Sequence, residues 1–557
     1  MLLYIAYMVY AIWYDSGNAF LLLFDTCIVS LWIAAHAERS RKLFIIAGKK
    51  IVKANRTVNT KIPYLRIIFT VTVVLVLLVF LIHEWVHVTR KLIPFGGLIL
   101  LLFLTLLTSR SPSKIKWTPV IWGILLQFLF GLIILRWPIG YGFFQFIAGQ
   151  ISAFLSYTDN ASKIVFGEEG IKEHPIVFKV LPVVVFFNAI TNVLYYLGAM
   201  QVIIRVIARV IRFVMKTLSV ESFAVAAQIF LGQAESSIAL KPFLKDVSRS
   251  GLNSVMTGGF ATIACTYIAA YIEFGVSAQH LVAASFMSAP AALAVAKLGW
   301  PEDSDVEEID LSNVQLDVGQ ETNILEAASV GATATVKLVA YVVVNLIAFL
   351  AILSFLDAAI SFYGERVGHP EINFEWLCSY IFMPLAIIMG IPWNDCRTVA
   401  TLIGKKIVLH DFLAYMDLGR LVKEDKLEDR SAVIATYILC GFGSIASIGV
   451  TLGALTAAEP SRRKDYARGV FRAFVCGNVA CFMTACIAGM LYTEFTPVIY
   501  NNTTDCNMTS LSSCNTTMSN SSLYVLDLIN ITQNKHMNDL KSYLPDSKSP
   551  PQMVAIL

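Results

Sequence analysis

The chain has 557 residues, 57% of them hydrophobic and only 15% charged, with a formal net charge of +4. Soluble domains carry about 25% charged residues, so this composition, with a mean hydropathy of +0.67, excludes a soluble globule. The small net charge gives no electrostatic footing for nucleic acid.

Apolar runs of spanning length recur at 67–82, 98–107 with its flanks, 119–135, 176–197 and 336–356. They predict an all-α polytopic membrane protein with roughly eleven crossings. The first residues, 1–14, are apolar from Met1 and lack a basic leader, so no cleavable signal peptide is expected. They are also short for a span, which leads us to expect a chain that starts inside one. Basic residues gather in three loops: Arg39, Arg41, Lys42, Lys49, Lys50, Lys53, Arg56 and Lys61; Arg110, Lys114 and Lys116; and Arg462, Arg463, Lys464 and Arg468. Lys and Arg bias places all three on the cytoplasmic side. Residues 1–136 form simple hydrophobic spans. Residues 137–300 and 331–493 read as two halves of a polar-interrupted core, joined by an acidic connector and interfacial helix at 301–330. Residues 494–557 form a tail.

Within the first half, the segment 223–240 is too short to cross, turn and cross again. It reads as a re-entrant hairpin with its tip at 232–237, carrying the acid Glu235. The stretch 387–398, with Gly390, Pro392, Trp393, Asn394 and Asp395, reads as the matching tip of the second half, followed by the acid Asp411. Carboxylates inside apolar sequence are costly and mark binding sites or pathways. After each acid the same phrase recurs: Gly259-Phe260-Ala261-Thr262-Ile263-Ala264, then Gly441-Phe442-Gly443-Ser444-Ile445-Ala446. Two hairpins, each followed by a small-residue helix, predict an inverted repeat with a site between its halves.

The last apolar helix, near 470–491, carries the tail outside if the basic clusters are inside. The tail holds acceptor sequons at Asn501, Asn502, Asn507, Asn515, Asn520 and Asn530, which only a lumenal enzyme modifies. Cys506 and Cys514 lie there and are close enough in sequence to pair. The other eight cysteines read as small core residues.

His83-Glu84-Trp85-Val86-His87 has the spacing of a zinc protease helix, with Asp417 as its only tempting third ligand. An amphipathic helix end is the plainer reading. No phosphate-binding glycine loop is present in the sequence, so ATP-driven transport has no support.

At Gly232-Gln233-Ala234-Glu235 the chain resembles the concentrative nucleoside transporters, whose hairpin signature is Gly-Gln-Thr-Glu. Their later signature, Gly-x-Lys-x-x-x-Asn-Glu-Phe-Val-Ala-aromatic, is matched by Gly404-Lys405-Lys406-Ile407-Val408-Leu409-His410-Asp411-Phe412-Leu413-Ala414-Tyr415. Val165-Phe166-Gly167-Glu168, Leu194-Tyr195-Tyr196-Leu197-Gly198, Met287-Ser288-Ala289-Pro290-Ala291, Asn323-Ile324-Leu325-Glu326-Ala327-Ala328 and the run at 480–489 follow in family order.

The resemblance implies a plasma-membrane homotrimer in lipid. Each protomer would pair a fixed scaffold with an elevator-type transport domain that imports nucleosides on a sodium or proton gradient, with no organic cofactor. By similarity, Gln233 and Glu235 face the base beside Ala234 and Tyr267. Asp411, Ser444 and Ser447 face the ribose, and Phe442 supplies an apolar wall. The family's cation ligands fall on Gln228, the Leu231 carbonyl, Thr262 and the Ile263 carbonyl. The chain departs from the family at Gln228 and Ser444, each usually Asn, at Ala234, usually Thr, at Asp411, usually Glu, and at His410, usually Asn. Tyr267 replaces a smaller aliphatic residue. These departures sustain a rival expectation, a nucleoside-binding homologue with altered or absent transport.

Overall fold

The computed structural model describes residues 89–173, 176–302, 321–366, 368–369 and 371–492, all within one compact unit, Thr57–Phe495. The basic loop at 39–61, the His83–His87 motif, most of the acidic connector, the tail sequons, and Cys506 and Cys514 lie outside the described residues.

The described residues are helical, with no strand among them. Helices α1 (Leu92–Leu107), α2 (Trp117–Leu135), α3 (Pro138–Glu173), α4 (Leu181–Tyr196) and α5 (Ala199–Met215) lead into the first hairpin. Its arms are α6 (Ser219–Gln228) and α7 (Gln233–Leu244). Then come α8 (Arg249–Ala261), α9 (Cys265–Phe274) and α10 (Ala278–Gly299). The second half runs α11 (Ile324–Arg366), α12 (Phe374–Ile381), α13 (Met383–Ile388), α14 (Trp393–Gly404) with a π-turn at Lys405–Leu409, α15 (Asp411–Lys423), α16 (Asp429–Leu439), α17 (Ile445–Ala458) and α18 (Arg463–Leu491). Among the described residues, six helical stretches are long and apolar enough to cross a membrane. Helix α11 runs without a break across position 330, where the sequence suggested a boundary.

Local chemistry sets the ends of several helices. Ser248 and Asn373 cap α8 and α12 by accepting from Gly251 N–H and Trp376 N–H at 2.9 and 2.7 Å. Gly275, at φ 103°, ends α9 in the left-handed conformation that suits glycine. Two apolar stretches are broken in mid-course. The chain leaves helical geometry at Thr262 (φ −114°, ψ 159°) and Ala264 between α8 and α9. It does so again from Cys440 through Gly441 (φ 86°) to Ser444 between α16 and α17. The repeated phrase thus marks both breaks, displaced by a few residues between copies.

The second hairpin is not where the sequence suggested. Its turn is His410 (φ −157°, ψ 140°), with α14 and its π-turn as one arm and α15 as the other. The stretch 387–398 is the joint between α13 and α14. Gly390 and Pro392 do make a turn there, with Gly390 at φ 86°, but it connects helices ahead of the hairpin. With the hairpin placed at His410, the halves match. In each, the first hairpin arm packs on the first piece of the following broken helix (α6 on α8, α14 on α16). The second arm packs on the far piece of the other half's broken helix: α7 on α17, and α15 on α9. Hairpins and breaks therefore interlock across the repeat.

The core sits where α8, α10, α16 and α18 meet. It is made of small side chains such as Ala284, Ala291, Ala292, Ala480, Cys481, Ala485 and Ala488, all buried. Small residues let helices approach closely where lipid removes the hydrophobic drive between them. The seven described cysteines are free, and six are buried. Helix α4 pairs with α11 through Asn188 Nδ2 to Gly331 O (3.0 Å) and Asn192 Nδ2 to Ala327 O (2.7 Å). The far half of α11 is largely exposed and apolar.

Residues of two basic clusters lie at one end of this bundle. Arg110 stacks 4.3 Å over Trp300, while Arg472 donates to the carbonyls of Thr108 and Gly299. Arg462 ties the end of α7 by donating to the Lys245 and Val247 carbonyls. Beside them Lys297 bridges Glu221 and Glu302 at 2.5 and 3.0 Å, joining the first hairpin to α10.

Candidate functional site

Both intramembrane acids fall in the first turn of the second arm of a hairpin, Glu235 in α7 and Asp411 in α15. The N-terminal end of a helix carries partial positive charge and stabilises a carboxylate there. Ala234 lies between Gln233 and Glu235 in the same first turn of α7. Gly232 is needed beside them, because a Cβ on it would run into the Glu235 carboxylate. The same Cβ would lie 3.6 Å from Ala264, so this tip sits on the first helix break. Glu235 is exposed, whereas Asp411 is 1% exposed.

Gln233 is the buried hinge of the arrangement. Its Nε2 donates to Gly259 O at 2.8 Å, just before the first break, and its Oε1 accepts from Thr451 Oγ1 at 3.0 Å on α17. The same hydroxyl lies 2.9 Å from Ser447 O, so its one proton is shared between the two acceptors, and Ser447 and Ser444 share a 2.7 Å hydroxyl pair at the start of α17. Phe442 packs edge-on to Tyr267 at 4.9 Å, bringing the second break against the start of α9. One helical turn on, Tyr271 donates to Asp411 Oδ2 at 2.7 Å and stacks on Tyr415 at 4.1 Å. His410 Nδ1 lies 3.2 Å from Asp411 Oδ1, but it also accepts from Phe412 N–H at 3.2 Å. A nitrogen that accepts cannot also donate, so the neutral ring leaves Asp411 Oδ1 without a donor among the described residues.

The residues singled out in the sequence are thus brought together on two hairpin tips and two breaks. Tyr271 and Thr451 complete the set and were not singled out. Each lies four residues beyond one that was, Tyr271 after Tyr267 and Thr451 after Ser447, on the same helix face. That spacing is the signal that points to them.

The four positions suggested for a cation also converge. Gln228 ends α6, Leu231 is in the tip, and Thr262 and Ile263 are in the first break. Cys265 N–H donates to Phe230 O at 3.2 Å, fastening tip to break. Gln228 is 3% exposed, and its Nε2 donates to Val255 O at 2.9 Å. Its Oε1 has no donor among the described residues and lies over Gly258, where a Cβ would collide with it. A buried acceptor without a donor is expensive in a protein interior. The Thr262 hydroxyl lies close by, donating at 2.8 Å to the carbonyl of Gly258, the residue that Gln228 Oε1 covers. Asp417 takes no part in either group. It pairs with Lys405 at 2.6 Å and Arg420 at 3.1 Å, so it is not held ready as a zinc ligand.

Three family models tile this core: the sodium-dependent nucleoside transporter N-terminus over residues 96–169, a nucleoside recognition gate over 177–278 and the sodium-dependent nucleoside transporter C-terminus over 280–489. Mouse solute carrier family 28 member 3 is 47% identical over 425 residues, which are 74% of this chain and 60% of that protein. Rat sodium/nucleoside cotransporter 2 is 37% identical over 505 residues, 88% of this chain and 76% of that protein. This chain therefore spans about three-fifths of the length of the family 28 member 3 relatives it matches. The solved structure of CNTnw in an inward-facing, substrate-bound state is 32% identical, covering 72% of this chain and 97% of that one, with a TM-score of 0.68. An outward-facing variant of the same protein matches equally well, at 0.69. The hairpins, the paired breaks and these likenesses agree: the chain belongs to the sodium-dependent nucleoside transporter family.

Proposed function

We propose that this protein is a secondary active transporter, not an enzyme, that imports nucleosides across the plasma membrane on an inward sodium gradient. The observation that carries the reading is the meeting of Gln233, Glu235, Asp411, Phe442, Ser444 and Ser447 where two hairpin tips cross two helix breaks. A nucleoside offers base donors and acceptors at one end and ribose hydroxyls at the other. Glu235, with Gln233 behind it, suits the base edge, while Asp411 and the Ser444–Ser447 pair suit the ribose. The Tyr267–Phe442 corner supplies an apolar wall between them. Gln228, Thr262 and the carbonyls of Leu231 and Ile263 would hold sodium. Bound there, sodium supplies the positive charge that satisfies these oxygens and links occupancy of the first break to the tip carrying Gln233 and Glu235.

The α4–α11 pair suits a fixed scaffold, and the interlocked hairpins and breaks suit a body that moves past it as an elevator. The exposed apolar face of α11 suits lipid and a homotrimer. Helix α18 starts at the basic end of the bundle, so its far end would deliver the tail, with its six sequons, to the extracellular side.

The test is radiolabelled uridine and adenosine uptake in cells, with sodium against choline, for wild type and Glu235→Gln. We expect sodium-dependent uptake that falls at least ~10-fold in the variant, since a hydrogen bond to a charged group is worth ~1.5–3 kcal/mol. Uptake driven by acid pH and indifferent to sodium would replace the sodium reading with a proton. Absence of uptake with protein at the surface would favour the altered-substrate homologue.

A further inference from the structure

The two breaks are built alike but filled differently. At the first, the α8 carbonyls meet only neutral donors. The Thr262 hydroxyl donates to Gly258 O at 2.8 Å, the Gln233 amide to Gly259 O, and the thiol of Cys481 to Ala261 O at 3.5 Å. The orphaned Gln228 oxygen adds one more acceptor there. At the second break the carbonyl end of α16 holds an ammonium group. Lys406 reaches in from the π-turn of the second hairpin, its Nζ 2.9 Å from Ile438 O and 2.7 Å from Cys440 O. It is fully buried, with the face of Phe482 5.9 Å away.

Two other buried ammonium groups have carboxylates, Lys297 with Glu221 and Glu302, and Lys405 with Glu375 and Asp417. No carboxylate among the described residues pairs with Lys406. A charge held this deep by carbonyls and an aromatic face, without a carboxylate, is favourable only where those carbonyls collect negative potential, as the last turn of a helix does. The same logic makes the first break fit for sodium.

We propose that Lys406 is a resident cation. It sits, at the second break, on the carbonyl end of α16, the place that corresponds by the inverted repeat to the α8 end beside the proposed coupling-cation site. Cys440 is the first residue of that break, so the ammonium fixes the loop that carries Phe442 and aims Ser444 and Ser447. Lys406 is therefore a positioning residue, and of the two breaks only the first takes up a mobile cation. The proposal rests on the sodium-coupled reading above, and its test separates the two.

The full chain, purified in detergent, is melted in choline and in sodium at equal ionic strength, and radioactive sodium binding is counted per chain. Wild type, Lys406→Gln and Lys406→Arg are compared. We expect wild type and Lys406→Arg to bind one sodium. Lys406→Gln is expected to melt lower in choline by about 5 °C, the scale of one or two lost charge-assisted hydrogen bonds. In sodium it should recover most of that shift and bind a second ion. A Lys406→Gln protein that fails to fold in choline while Lys406→Arg folds normally also supports a required charge. Lys406→Gln melting like wild type with a single sodium overturns the proposal. Equal failure of both variants overturns it too, because it assigns Lys406 to packing. Wild type that binds no sodium defeats the first-break reading instead, and leaves the choline melting comparison to judge Lys406.

Discussion

The helix breaks at Thr262–Ala264 and Cys440–Ser444 come from nearly the same phrase and do different work. Each interrupts an apolar helix, and each is crossed by a hairpin from its own half. At the first, the hairpin offers side-chain amides, Gln228 and Gln233, and one amide oxygen stays unsatisfied. At the second, the hairpin offers Lys406, whose ammonium donates to the carbonyls of Ile438 and Cys440. Asn478 then clamps the loop by donating to Gly443 O at 3.1 Å. An inverted repeat thus supplies a pair of equivalent helix breaks. On the readings proposed above, the residues that enter from the hairpins would decide which break exchanges a cation and which one walls the substrate site.

The sharpest way to break that contrast is to fill a glycine floor. A Cβ at Gly258 collides with Gln228 Oε1 and comes within 2.8 Å of Val225, so the buried Gln228 side chain must move off its place. Gly258→Ala should therefore raise the sodium concentration for half-maximal uptake ~100-fold, or abolish uptake, the cost of losing about 2–3 kcal/mol at one ligand. Uridine KM at saturating sodium should move little. Gly443→Ala meets Asn478 instead and should do the reverse, raising uridine KM with sodium activation unchanged. Both variants shifting the same parameter would erase the division of labour between the breaks.

A smaller effect is expected at the second hairpin. Tyr271 donates to one oxygen of Asp411 and leaves the other open. Tyr271→Phe removes the donor that orients the carboxylate. Uridine KM should rise about 10-fold, from roughly 1.4 kcal/mol at one charged hydrogen bond. An analogue lacking the ribose hydroxyl proposed to meet Asp411 should show a smaller loss on the same substitution. Equal losses for both substrates would remove Asp411 from ribose recognition.

These long-range bonds show where the sequence stops being legible. Glu235 and Asp411 stood out because a carboxylate in apolar sequence has few structural excuses, and the repeated phrase found both breaks because they require small residues. The second hairpin turn was missed because Gly390 and Pro392 are stronger local turn signals than His410. What marks His410 is its ring capping Phe412 N–H, a tertiary fact with no compositional trace. The partners of Asp411 and Gln233 lie 140 and 218 residues away in sequence. No spacing rule reaches that far, although helical periodicity from Tyr267 and Ser447 points at the right faces.

The mildest expected effect tests the seam between the halves. Gln233 is held from both sides, by Gly259 O in the first half and Thr451 Oγ1 in the second. Thr451→Val keeps the shape and α17 but removes the donor to Gln233 Oε1. Gln233 keeps its bond to Gly259, so the tip stays docked on the first break, while its freed oxygen can turn toward substrate or water. A neutral hydrogen bond contributes about 1 kcal/mol net, so uridine KM should change only about fivefold, with sodium activation unaltered. If sodium activation weakens as much as uridine binding, the α17 contact is part of the path by which the first break senses the second. In that case Gln233 couples the two sites, and its bond to Gly259 is not enough to hold the tip.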